Sequence, residues 1–170
     1  GGEGHHLRGV VQVGLAGLIS SKLSVLLLAG YGREFLFGAH TFIAQAELGV
    51  LLSEAITFKL GYVRTMQPVA VYGVLGDDRG YLEAKAGFGR FSLLGSAAFD
   101  LVSYWGGTAT TVAPARQDIL FSLSVGPSFA IFSWFSVGAA YNLNLRLSNA
   151  TSAGAQFSRH EAILRLTFSY

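Results

Sequence analysis

No cysteine occurs among the 170 residues, which excludes a disulfide framework and a thiolate metal site, though it says little about redox compartment. Charge is scarce too. Asp, Glu, Lys and Arg make up 13% of the chain, about half the share usual in soluble domains, while 51% of residues are hydrophobic. A solvated surface of the ordinary kind is hard to build from that mixture. Long apolar runs are also missing: the longest lies around Val25 to Gly32, well short of the roughly 18 residues that a membrane helix needs. Residues 7–31 are apolar overall, but Arg8, Gln12 and the Ser20-Ser21-Lys22 cluster interrupt them, so a helical hairpin there is the minor reading. The net charge of +2 and pI near 9.1 come from scattered arginines. Without a basic stripe, no nucleic-acid partner is expected.

What the chain does contain is period-two alternation. Phe135, Val137, Ala139, Tyr141, Leu143, Leu145 and Leu147 form one row, and Ser136, Gly138, Ala140, Asn142, Asn144, Arg146 and Ser148 form the other. The pattern repeats near the end, where Ala162, Leu164, Leu166, Phe168 and Tyr170 oppose Glu161, Ile163, Arg165, Thr167 and Ser169. At about 100° per residue a helix would scatter both rows around its circumference, so these segments are strands. Alternation does not say which face is wet, because a soluble barrel and a membrane barrel share it. Composition breaks the tie. The polar rows hold Ser, Gly, Asn and Ala rather than Lys and Glu, which suits a narrow lumen with the apolar rows turned to lipid.

The same pattern recurs along the chain. Val11, Val13, Leu15 and Ile19 oppose Gln12, Gly14 and Ala16; residues 23–31 alternate poorly; and Phe42, Ala44, Ala46, Leu48 and Val50 oppose Gln45, Glu47 and Gly49 after an out-of-phase start attributed to a bulge near Gly38. Residues 56–66 follow, stopped by Gln67 and Pro68. Residues 69–75 and 80–88 flank Gly76-Asp77-Asp78-Arg79-Gly80, whose glycines and aspartates predict a hairpin turn. Residues 92–104 and 118–131 complete the set, with Pro127 awkward inside the latter because proline cannot donate to a ladder.

Connections after residues 104 and 148 are long, and those near 89–91 and 132–134 are tight. That asymmetry is expected of barrels with long external loops and short periplasmic turns. Counting backwards from a periplasmic C-terminus predicts ten strands and a periplasmic N-terminus; merging the weak segments leaves eight as the alternative. The expected fold is thus all-β, a transmembrane antiparallel up-and-down β-barrel in one domain over residues 1–170. No signal peptide is visible, and export would require a signal since removed.

The terminal strand, with Leu164, Leu166, Phe168 and Tyr170, resembles the terminal signal of bacterial outer-membrane barrels, although such strands usually end in Phe or Trp. The overall plan resembles the small barrels of the outer-membrane protein A, X and W and opacity-protein types. That resemblance implies location in a Gram-negative-type outer membrane and contact with its lipid; it carries no family-specific motif and implies no activity.

Within a barrel, the inward rows would gather a polar network of Glu47, Lys59, Glu83, Lys85, Asp100, Asn142, Asn144, Arg146 and Arg165. Cross-lumen pairing into a polar plug is the main expectation, because unpaired buried charge is costly; a small pore or transporter for small solutes is the alternative. Tyr31, Tyr62, Tyr104, Trp105, Trp134, Phe168 and Tyr170 lie near strand ends and read as interfacial girdles.

No enzyme is expected. Ser158, His160 and Glu161 attract notice because some small outer-membrane barrels resemble lipases with Ser, His and Glu near the rim. On a strand, however, Ser158 and His160 share a face while Glu161 points away, which leaves a membrane-embedded lipid hydrolase a lesser reading. His5, His6 and His40 show no metal-ligand spacing, and no cofactor is expected. The loops at 105–117 and 149–157 are the expected sites for protein partners.

Overall fold

The computed structural model describes residues 8–35, 40–69, 73–105, 116–150 and 156–168. They form nine strands: β1 Arg8–Ser20, β2 Leu23–Glu34, β3 His40–Ser53, β4 Ile56–Val69, β5 Gly73–Phe88, β6 Phe91–Trp105, β7 Arg116–Phe132, β8 Phe135–Ser148 and β9 Phe157–Phe168. Each strand pairs antiparallel with the next, in the order β1-β2-β3-β4-β5-β6-β7-β8-β9. The chain is therefore an up-and-down meander, and β1 and β2 replace the helical hairpin weighed for residues 7–31.

Among the described residues the strand count is nine, in place of the expected ten or eight. The tenth strand came from splitting residues 69–88 at Gly76-Asp77-Asp78-Arg79-Gly80, but β5 runs unbroken through all five. Two of the charged side chains are paired across the sheet, while Asp77 Oδ1 is buried without a hydrogen-bond partner. Asp78 lies opposite Arg64 and accepts from its guanidinium at 3.1 Å and from the Tyr62 hydroxyl, while Arg79 pairs with Asp100 at 3.5 Å. Turn propensity is a local preference that two flanking ladders override. The strand at residues 56–66 likewise extends past Gln67 and Pro68 to Val69.

An odd count also changes the ends. Arg8 starts β1 at the end of the sheet opposite to Phe168, so β1 and β9 run in the same direction, contrary to the expectation that both termini lie at one end. No pairing joins β1 to β9 among the described residues.

At one end of the sheet the turns are tight, at Ser21-Lys22, Glu54-Ala55, Gly89-Arg90 and Ser133-Trp134. At the other, the connections run between Glu34 and His40, Val69 and Gly73, Trp105 and Arg116, and Ser148 and Phe157, which agrees with the expected long connections after 104 and 148. Gly89 has φ of +60°, a left-handed conformation that favours glycine. Pro127 sits inside β7 opposite Leu93. On the β8 side the paired positions stop at Val125 and resume at Ser128, the interruption that proline's missing N–H demands. The expected bulge near Gly38 lies outside the described residues.

Candidate functional site

Registers followed from strand to strand sort the side chains into two faces. One row runs Ala16, Leu26, Glu47, Gly61, Tyr81, Ala98, Ser122, Asn144, Arg159, each opposite the next. The neighbouring row, on the other face, runs Leu15, Leu27, Ala46, Tyr62, Gly80, Phe99, Phe121, Leu145, Ser158. The pleat alone makes the faces chemically different.

The apolar face is exposed. Val13 is 77% exposed, Leu60 57%, Phe99 50% and Leu164 72%. Buried apolar side chains among the described residues are confined to Ile43, Met66, Val74, Ala98 and Val102. Ile43 and Met66 pack where Gly32 leaves room, since a Cβ there would meet Ile43 Cδ1 at 2.7 Å. This is the inverse of a soluble sheet, which hides its larger apolar face.

The polar face is tied by hydrogen bonds and ion pairs. Tyr81 donates to Glu47 Oε2 at 2.6 Å, and Lys59 Nζ lies 3.4 Å from Glu47 Oε1. Between them Gly61 permits the contact: a Cβ on it would sit 2.2 Å from Tyr81 Cζ, so the Tyr81 ring crosses β4 over a bare backbone. Glu83 lies opposite Lys59. Ser124 donates to Asn142 at 2.7 Å, and Asn144 lies between Ser122 and Arg159. Near the long connections, Asp118 is fully buried and takes Arg116 Nε at 2.9 Å and the Arg146 guanidinium. Toward the tight turns, Lys85, Asn142 and Arg165 join Ser92, Ser124 and Ser128 around a polar cavity of about 460 Å³.

Of the aromatics expected at strand ends, Tyr31, Tyr104, Trp105, Trp134 and Phe168 lie near them, whereas Tyr62 stands in the middle of β4, because that strand runs on to Val69. Tyr31 stacks on His40 at 5.9 Å, and Trp105 covers Gly76, whose Cβ would meet its ring at 2.6 Å. Tyr104 lies under the Arg116 guanidinium at 5.2 Å, opposite it in register on the polar-row face. At the tight-turn end, Trp134 stacks on Phe132 at 5.4 Å and on Phe168 at 6.3 Å, with Phe135 4.8 Å from Phe168. Tyr170, His5 and His6 lie outside the described residues.

Sequence reasoning missed Asp118 with Arg116, the pairing of Arg79 with Asp100, and Tyr81. Asp118 was legible: it continues the row Leu120, Ser122, Ser124 two residues back, into a stretch whose Arg116 and Gln117 looked like loop. It missed Tyr141 as well. On the apolar face, Ser158 Oγ lies 2.9 Å from His160 Nε2, and Tyr141 Oη lies 2.7 Å from His160 Nδ1. Glu161 faces the other way and pairs with Arg159.

No cluster of three or more His, Cys, Asp and Glu suited to a metal ion occurs among the described residues, nor any helix long and apolar enough to cross a membrane. Fold and faces together define an antiparallel nine-strand β-meander with an exposed apolar surface. Comparison with protein-family models, with curated proteins and with solved structures returns no match.

Proposed function

We propose that the chain is an integral protein of a bacterial outer membrane, with its apolar face in lipid and its polar face turned to an interior. It serves as a structural or interaction protein, its longer connections carrying recognition of partners. The observation that carries this reading is the exposure of large apolar side chains along the apolar face, from Val13 on β1 to Leu164 on β9, which in water would be an aggregation surface. Strand length supports it: 12 to 17 residues exceed the roughly 9–11 that a tilted strand needs to cross a bilayer. Tight turns at one end, longer connections at the other and aromatics at both are further support.

The polar face favours a tied interior over an open pore. Glu47, Asp100 and Asp118 each have a cationic partner within 4 Å. Closing the sheet into a barrel takes either a parallel seam between β1 and β9 or one more strand running opposite to both, because the two edges point the same way.

The test uses a single tryptophan. With Trp105 and Trp134 replaced by Phe, Leu164→Trp is reconstituted into phosphatidylcholine vesicles. Quenching by lipids brominated deep in the acyl chain, and protection from aqueous iodide, is the expected result. Efficient iodide quenching refutes the lipid-facing assignment. In planar bilayers the same protein should show no large steady conductance.

A further inference from the structure

Besides the group of Tyr62, Arg64 and Asp78, the apolar face carries a polar constellation that neither lipid contact nor partner recognition requires. Ser158, His160 and Tyr141 lie in a row between β9 and β8, among Leu143, Leu145 and Leu164. The register explains it: Ser158 and His160 are two apart on β9 and so share a face, while His160 opposite Leu143 is diagonal to Tyr141. The imidazole bridges the two hydroxyls, 2.9 Å to Ser158 Oγ and 2.7 Å to Tyr141 Oη. Nucleophile, base and orienting group within hydrogen-bond reach is the geometry of an activated serine. With the Nδ1 proton donated to Tyr141 Oη, Nε2 is left as acceptor for the serine hydroxyl.

What adjoins the serine selects the substrate. Ser158 stands at the edge of an apolar groove of about 370 Å³, walled by Ile119, Phe121, Leu145, Leu147 and Phe157. Such a groove suits an alkyl chain. Gln156 also lines it, placing an amide beside the apolar wall; Arg146 borders the groove too, but its guanidinium is held by Asp118 on the polar face.

We infer that Ser158, His160 and Tyr141 form a serine-hydrolase site for long-chain acyl esters on the outer surface of the sheet. Ser158 Oγ attacks the ester carbonyl carbon as His160 Nε2 takes the hydroxyl proton. The carbon–oxygen bond to the alcohol breaks, and that proton passes to the departing oxygen. Water then attacks the acyl-serine; His160 takes a proton from the water and returns it to Oγ, releasing the fatty acid. Ester and water become alcohol and acid, with no other reactant. Tyr141 is a positioning residue, acting through the imidazole.

The lipid setting of the site rests on the membrane reading, but its chemistry does not. In detergent micelles the two are tested separately. The folded protein is treated with a fluorophosphonate probe, the adduct is mapped by mass spectrometry, and hydrolysis of p-nitrophenyl palmitate is followed against p-nitrophenyl acetate. A Ser158 adduct is expected, lost in Ser158→Ala and formed at least tenfold more slowly in His160→Gln, with palmitate preferred over acetate at least tenfold. Tyr141→Phe should slow hydrolysis several-fold and move its pH–rate profile, which a purely structural role would not do. Circular dichroism confirms that each variant is folded. Absence of any adduct on Ser158 in the folded wild-type protein overturns the proposal whatever the variants do, as does palmitate hydrolysis undiminished in Ser158→Ala.

Discussion

Asp118 is where the polar face has most to lose. Its side chain has no exposure, and its partners Arg116 and Arg146 are 16% and 24% exposed. Two charge-assisted hydrogen bonds converge on it, each worth about 1.5–3 kcal/mol in a buried setting. Asp118→Ala deletes both and leaves two guanidinium groups facing each other, the case in which removing one partner costs about 3–5 kcal/mol. Because both arginines keep some access to water, part of that cost is recovered by rehydration, and the net loss should be about 2–4 kcal/mol. The measurement is reversible urea unfolding of the protein in lipid vesicles, followed by tryptophan fluorescence, with the slope checked so that a midpoint shift reads as stability. Asp118→Asn keeps shape and one acceptor, so it should cost less than Asp118→Ala. Combining Asp118→Ala with Arg146→Met should recover part of the loss, since the second substitution removes an orphaned charge. An Asp118→Ala protein within about 0.5 kcal/mol of wild type would show that the arginines are already hydrated there, and the case for a tied interior would lose its strongest member.

Three further outcomes can be checked in the same assay. Gly61→Ala should cost about 1.5 kcal/mol, the lower end for a hydrogen bond to a charged group, by pushing the Tyr81 ring off Glu47; Tyr81→Ala, which vacates the space, should make Gly61→Ala nearly neutral, and additivity of the two would refute the contact. Gly89→Val should cost about 1–2 kcal/mol because φ of +60° is strained for a β-branched residue, even though no atom lies within 4 Å of the new Cβ. Leu164→Lys should cost about 2–4 kcal/mol in vesicles if that row meets acyl chains, whereas Ile163→Gln, its neighbour beside the polar cavity, should be tolerated; equal effects would contradict the two-face assignment.

Much of the architecture was legible because a strand's period is two, whatever surrounds it. Phe135 to Leu147 and Ala162 to Phe168 declare their faces in sequence, and the observed register keeps Val137 opposite Leu166 and Ala139 opposite Leu164. The poorly alternating residues 23–31 still form β2, because Leu26 and Leu28 on the polar-row face are held by pairing with β1 and β3. The failure at Gly76 to Gly80 has the same origin seen from the other side. Glycine and aspartate favour turns when nothing competes, and here Arg64, Tyr62 and Asp100 compete. One misplaced turn altered the count by one, and with it the relative direction of the two edge strands.

Alternation and composition alone, then, determined an all-β chain with one apolar and one polar face, for side-chain direction follows the pleat and the pleat is local. What only the tertiary structure decided was pairing at a distance. It set Asp118 between Arg116 and Arg146, carried Tyr81 across Gly61 to Glu47, and placed Tyr141 against His160 and His160 against Ser158. Those contacts depend on register between strands, and register is fixed by every ladder and turn acting together, which no single stretch of sequence contains.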